Sequence, residues 1–88
     1  MSINKSEIIN NISYTDLVYG RINKKLKTNL SIAEIEKTLL DIITETEERF
    51  FNKIGKNFYV TNVEKNIKIT VNSHTFRIIT VDQLEKKH

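Results

Sequence analysis

Three features of the 88-residue chain place it in the α+β class. Apolar residues recur at helical spacing through the first half, the period switches from 3.6 to 2 after Arg49, and turn signals such as Gly55-Lys56-Asn57 divide the second half. They predict three N-terminal helices packed on a three- or four-stranded antiparallel meander. The expected organisation is one domain, with helices over 1–48, sheet over 49–84 and a solvated tail over 85–88.

Ser2 or Asn4 is positioned to cap a first helix carrying Ile8, Ile9 and Ile12, with a break near Ser13. Thr15 is expected to cap a second helix, in which Tyr14, Val18, Ile22 and Leu26 fall on one face at four-residue spacing and Gly20 lowers helix propensity by about 1 kcal/mol. The third helix has the strongest start signal. Ser31 and Glu34 form a capping box, and Leu30 faces Ile35 as a hydrophobic staple. Its core-facing seam collects Ile32, Ile35, Leu39, Ile42, Ile43 and Thr46, with Glu34, Asp41, Glu45 and Glu48 on the opposite side.

Beyond Arg49, Phe50-Phe51 begins a short strand and Gly55 to Asn57 turns the chain. Phe58 to Asn62 then alternates as a strand, and Asn62 to Asn66 turns again. Ile67, Ile69 and Val71 alternate with Lys68, Thr70 and Asn72, the pattern of a half-buried strand with a polar outer face. Asn72 to Thr75 reads as a hairpin turn. The strand from Phe76 to Val81 sets Phe76 and Ile78 on one face and Arg77, Ile79 and Val81 on the other; with both faces apolar, it is expected to be central or covered twice.

Composition excludes several functions. Cysteine is absent, which removes disulfides, thiolate metal sites and a cysteine nucleophile. Histidine is limited to His74 and His88, so no metal site and no cofactor is expected. Apolar runs of two or three residues are far short of a membrane span, and no signal-peptide core opens the chain, so a cytoplasmic location and no membrane partner are expected. Fourteen isoleucines, ten asparagines and eleven lysines against three arginines are the usage of an AT-rich bacterial or phage genome.

Charge is uneven about a net +3. Arg21, Lys24, Lys25 and Lys27 crowd the end of helix 2, six acids against Lys37 make residues 34–48 strongly negative, and residues 49–77 are again basic. An acidic helix and a basic sheet are therefore expected. The acidic row Glu34, Asp41, Glu45 and Glu48 is a candidate mimic of nucleic-acid phosphates, although any amphipathic helix also needs a polar side. Tyr59, Thr61, Lys68, Thr70, Asn72 and Arg77 on the sheet could grip phosphates and stack a base; the same residue types also satisfy β-propensity on a solvated strand. His74 is the one group suited to proton transfer near neutral pH, and its neighbours Asn72 and Arg77 could bind an oxyanion. A histidine in a polar hairpin is otherwise a turn residue. The cluster at the end of helix 2 is accounted for by the helix dipole unless the fold sets it beside Lys53, Lys56 and Lys68. No catalytic set is assigned.

The segments Tyr14 to Leu26, Gly55 to Val60 and Ile69 to Asp82 resemble a family of short bacterial proteins of unknown function found in low-GC Gram-positive genomes. In order of elements the chain is also similar to barnase-, colicin- and RelE-type ribonuclease toxins, with no catalytic signature of theirs present, and in size it is similar to anti-CRISPR proteins, which are mostly binders without enzyme chemistry. The expectation is a non-enzymatic protein-binding module, a phage or mobile-element inhibitor of a host nucleic-acid-processing enzyme such as Cas9. The alternative is a metal-independent ribonuclease-like toxin using Lys68, His74 and Arg77, for which nucleic acid would be the partner.

Overall fold

A computed structural model describes residues 3–84. In chain order it contains α1 (Lys5–Asn11), α2 (Val18–Leu26), α3 (Ile32–Glu45), a short 3-10 turn (Glu48–Phe50), and strands β1 (Phe51–Ile54), β2 (Asn57–Asn62), β3 (Ile67–Asn72) and β4 (Ile78–Gln83). The strands form one antiparallel meander in the order β1-β2-β3-β4. The α+β architecture expected from the sequence is the one observed. The proposed Ser2 cap and the 85–88 tail lie outside the described residues. Among the described residues no helix is long and apolar enough to cross a membrane.

The core is a single apolar cluster between the helices and one face of the sheet. Phe51, Val60, Ile69 and Val81 are cross-strand neighbours, and this buried row meets Ile8 of α1, Val18 and Ile22 of α2, and Ile35, Leu39, Ile42 and Ile43 of α3. The opposite sheet face carries the row Asn52, Tyr59, Thr70 and Thr80. Thr70 is nevertheless buried.

Local signals produced the helix starts at α1 and α3. The Asn4 side chain accepts the Glu7 N–H at 3.0 Å, and in α3 both halves of the Ser31–Glu34 capping box form. Lys5 caps the other end of α3, its Nζ donating to the Thr44 and Thr46 carbonyls at 2.6 Å, so α1 closes carbonyls that the helix leaves unpaired.

Several expectations need correction. Thr15 does not cap α2: its carbonyl accepts the Val18 N–H at 3.1 Å in a turn, and the helix begins at Val18 without a side-chain cap. Ile32 is 58% exposed rather than in the seam, because it occupies the first helical position at the rim of the stripe. Glu48 follows the end of α3 and belongs to the 3-10 turn. The last strand begins at Ile78, since Phe76 has φ +59 and its N–H closes the turn onto the Asn72 carbonyl. A bulge then leaves Ile79 without a partner, Val71 pairing with Ile78 and Thr70 with Thr80, so Ile78 and Val81 face the core together rather than opposite ways.

β4 is an edge strand, so of the two alternatives expected for it, central or covered twice, the central one is overturned. Its apolar excess is met from the side. α2 packs along it, Ser13 pairs with Arg77 in a parallel bridge, and the Arg21 Nη1 donates to the Ile79 carbonyl at 3.2 Å. These contacts occupy an edge that would otherwise present unpaired backbone groups.

Candidate functional site

The carboxylates of α3 stand on its exposed side, as their spacing requires, Glu48 is exposed in the 3-10 turn beyond it, and each has a surface partner. Glu34 Oε1 accepts the Ser31 N–H at 2.8 Å, and this hydrogen bond holds its carboxyl below the usual value. Asp41 pairs with Lys37 at 2.8 Å, raising the Lys37 pKa, while Glu45 lies 3.9 Å from Lys65 and Glu48 accepts the Lys5 backbone N–H at 3.4 Å. Glu34 and Glu45, eleven positions apart, are separated by roughly 16 Å of helix rise.

The end of this row is more acidic than its sequence suggests. Glu45, Glu47 and Glu64 line a cavity of about 280 Å³ together with Phe50 and Val63, the latter 69% exposed. The cavity floor is a buried polar link: the Thr46 hydroxyl donates to the Ile42 carbonyl at 2.6 Å and accepts from Asn62 Nδ2 at 2.9 Å, and Asn62 Oδ1 accepts the Lys65 N–H at 2.8 Å. That link pins the end of α3 to the β2–β3 turn and brings Glu64 beside Glu45 and Glu47. Sequence reasoning missed Glu47, Glu64 and this cavity; nothing local announces a contact between two segments joined only through Thr46 and Asn62.

The sheet residues do not converge. Lys68 Nζ sits 5.7 Å from the Tyr59 ring centroid on the outer face. Asn72 is occupied within the hairpin, its Oδ1 accepting the His74 and Thr75 N–H groups at 2.8 and 2.9 Å. His74 is exposed at the turn, and four residues of strand, about 13 Å, already separate Lys68 from Asn72. Arg77 lines a cavity of about 240 Å³ between β4 and α2 with Arg21 and the 83% exposed Leu17.

The expected basic sheet is likewise dispersed. Arg49 pairs with Glu47 at 3.0 Å and stacks on Phe50, Lys65 faces Glu45, Lys53 lies on the edge strand β1, three strand spacings or about 14 Å from β4, and Lys56 stands in the β1–β2 turn, its carbonyl accepting the Ser73 N–H at 2.8 Å. The basic cluster of α2 is thus beside Arg77, and its Lys25 reaches Asp82, the cross-strand partner of Lys68; Lys53 on β1 lies away from it. Among the described residues no group of three or more histidine, aspartate or glutamate side chains is placed to hold a metal.

At the helix layer, Tyr14 and Tyr19 stack with centroids 5.4 Å apart, and the Tyr19 hydroxyl donates to Glu36 at 2.6 Å. Burial pushes the Tyr14 phenol up to about 12, and the Glu36 hydrogen bond does the same for Tyr19. Neither tyrosine is poised to ionise near neutral pH.

Fold and surfaces together define a two-layer α+β protein that presents a carboxylate-bearing helix face. The chain belongs to the family described as Protein of unknown function (DUF3781), which matches residues 6–82. No curated protein and no solved structure matches it.

Proposed function

We propose that this protein is a cytoplasmic, non-enzymatic binding module that inhibits a nucleic-acid-processing enzyme, in the manner of phage and mobile-element anti-CRISPR proteins that target Cas9. The observation that carries this reading is the row of exposed carboxylates Glu34, Asp41, Glu45 and Glu48, extended by Glu47 and Glu64 at the end of α3. Such a row matches the charge of a nucleic-acid backbone and suits a channel lined by lysine and arginine. The ion pairs of Asp41 with Lys37 and of Glu45 with Lys65 are exposed and cost little to displace. Binding is favoured over catalysis by the four residues of strand, about 13 Å, between Lys68 and Asn72 of the hairpin that carries His74 and Arg77, which keep the three from forming one catalytic set.

The test is target cleavage by Cas9 with the protein in excess. Inhibition is expected, with loss of inhibition in the combined variant Glu34→Gln, Asp41→Asn, Glu45→Gln and Glu48→Gln, and a weakening of inhibition as salt rises. Undiminished cleavage at saturating protein would overturn the choice of Cas9, and inhibition that survives removal of the four charges would overturn the acidic face.

A further inference from the structure

The basic side of α2 has no part in the proposed function. Leu17, Arg21 and Lys25 fall four residues apart on one stripe of α2, with Lys24 beside it, and the stripe lies along β4. Arg21 and Arg77 line the cavity of about 240 Å³, and Arg21, Lys24 and Lys25 line a neighbouring cavity of about 550 Å³, so the two meet at Arg21. No acidic side chain lines either one. Lys25 is paired with Asp82 at 3.0 Å, whereas Arg21, Lys24 and Arg77 form no ion pair among the described residues.

The helix dipole explains Lys24 and Lys25 in the last turn, but not Arg21 in mid-helix or Arg77 from another element. Both arginines are also held in place. Arg21 is anchored on the Ile79 carbonyl; the Arg77 backbone is fixed by the Ser13 bridge on one side and by the Asn72 N–H donating to its carbonyl on the other.

We infer that the stripe Arg77, Arg21 and Lys24 is a track for the phosphodiester backbone of single-stranded nucleic acid. The cations follow one line, about 9 Å along α2 from Val18, beside Arg77, to Lys24, which suits an extended polyanion better than a compact one. Guanidinium groups bind phosphate oxygens through paired N–H donors. No aromatic ring lines either cavity, so the track reads charge and not base identity.

The experiment is fluorescence anisotropy with an end-labelled oligothymidylate about a dozen nucleotides long, titrated between about 50 and 200 mM salt. Three phosphate contacts on a single strand give a slope of about −2 in log K against log salt, an affinity loss of about 18-fold over that range. Arg21→Gln and Arg77→Gln should each reduce the loss to about sevenfold. Arg21→Lys should keep the wild-type slope, and Lys53→Gln on β1 at the far edge should change nothing. Absence of saturable binding at the lowest salt overturns the proposal, as does an unchanged slope in both arginine variants or an equal loss in the Lys53 variant. The four-carboxylate variant should still bind the oligonucleotide, so failure here and failure of the inhibitor reading are separately visible.

Discussion

The polar link between Thr46 and Asn62 should behave as a coupled pair whose halves are costly to remove singly. Both residues are nearly sealed from water, Thr46 at 4% and Asn62 at 7% exposure, and each uses its side chain twice. Thr46→Val keeps the shape and deletes the hydroxyl, so Asn62 Nδ2 loses its partner in a buried site at a cost of about 1–3 kcal/mol. The Ile42 carbonyl is spared, because it still accepts the Thr46 backbone N–H at 3.0 Å. Asn62→Val strands the Lys65 N–H and loosens the β2–β3 turn, again costing about 1–3 kcal/mol. In the double variant the mutual term is absent from the start, so the combined loss should fall short of the two single losses by about 1 kcal/mol or more. For a chain of this size each kcal/mol moves the midpoint of thermal unfolding by about 4–8 °C. Urea titrations of the four proteins measure the cycle. Strict additivity, or a Thr46→Val loss within about 0.3 kcal/mol of zero, would refute the claim that this link ties α3 to the sheet.

The two glycines should respond in opposite directions to alanine. Gly20 lies inside α2 with open space where a Cβ would project, so Gly20→Ala should stabilise by about 0.5–1 kcal/mol; Gly55 has φ +60, so Gly55→Ala should destabilise by about 1 kcal/mol although nothing lies in the way of its Cβ. Denaturant midpoints decide both signs. In alkali, Tyr14 and Tyr19 should ionise near pH 12 while the unfolded chain ionises near 10. Because the folded pKa is the higher one, the stability tied to these phenols is complete below about pH 10 and is lost as pH rises toward 12. Ultraviolet difference titration should show Tyr14 and Tyr19 ionising only as pH approaches 12, and their ionisation near pH 10 in the native state would contradict the burial of Tyr14 and the Tyr19–Glu36 bond.

Where the sequence was legible, the determinant was local. Ser31 and Glu34 lie within one turn and satisfy each other's backbone, so the start of α3 could be read from four residues. The alternation of Ile67, Ile69 and Val71 likewise needs only the period of a strand. What escaped depends on distant partners. The Ile79 bulge exists only in the register of β4 against β3, and without it the period-two pattern puts Ile78 and Val81 on the wrong sides. β4 looked central because its apolar residues are met by α2 and Ser13 rather than by a fifth strand. The candidate surfaces divide in the same way. Glu34, Asp41 and Glu45 follow from helix periodicity, whereas the meeting of Glu64 with Glu47, and of Arg77 with Arg21, is made by contacts between elements.

The measurement that bears most directly on function is Cas9 target cleavage with the wild-type protein and the four-carboxylate variant side by side. A binder acting through the acidic face of α3 should block cleavage in proportion to its occupancy and lose the effect when Glu34, Asp41, Glu45 and Glu48 are neutralised. Full cleavage in the presence of saturating wild-type protein would contradict inhibition of that enzyme, and equal inhibition by both proteins would move the working surface away from α3.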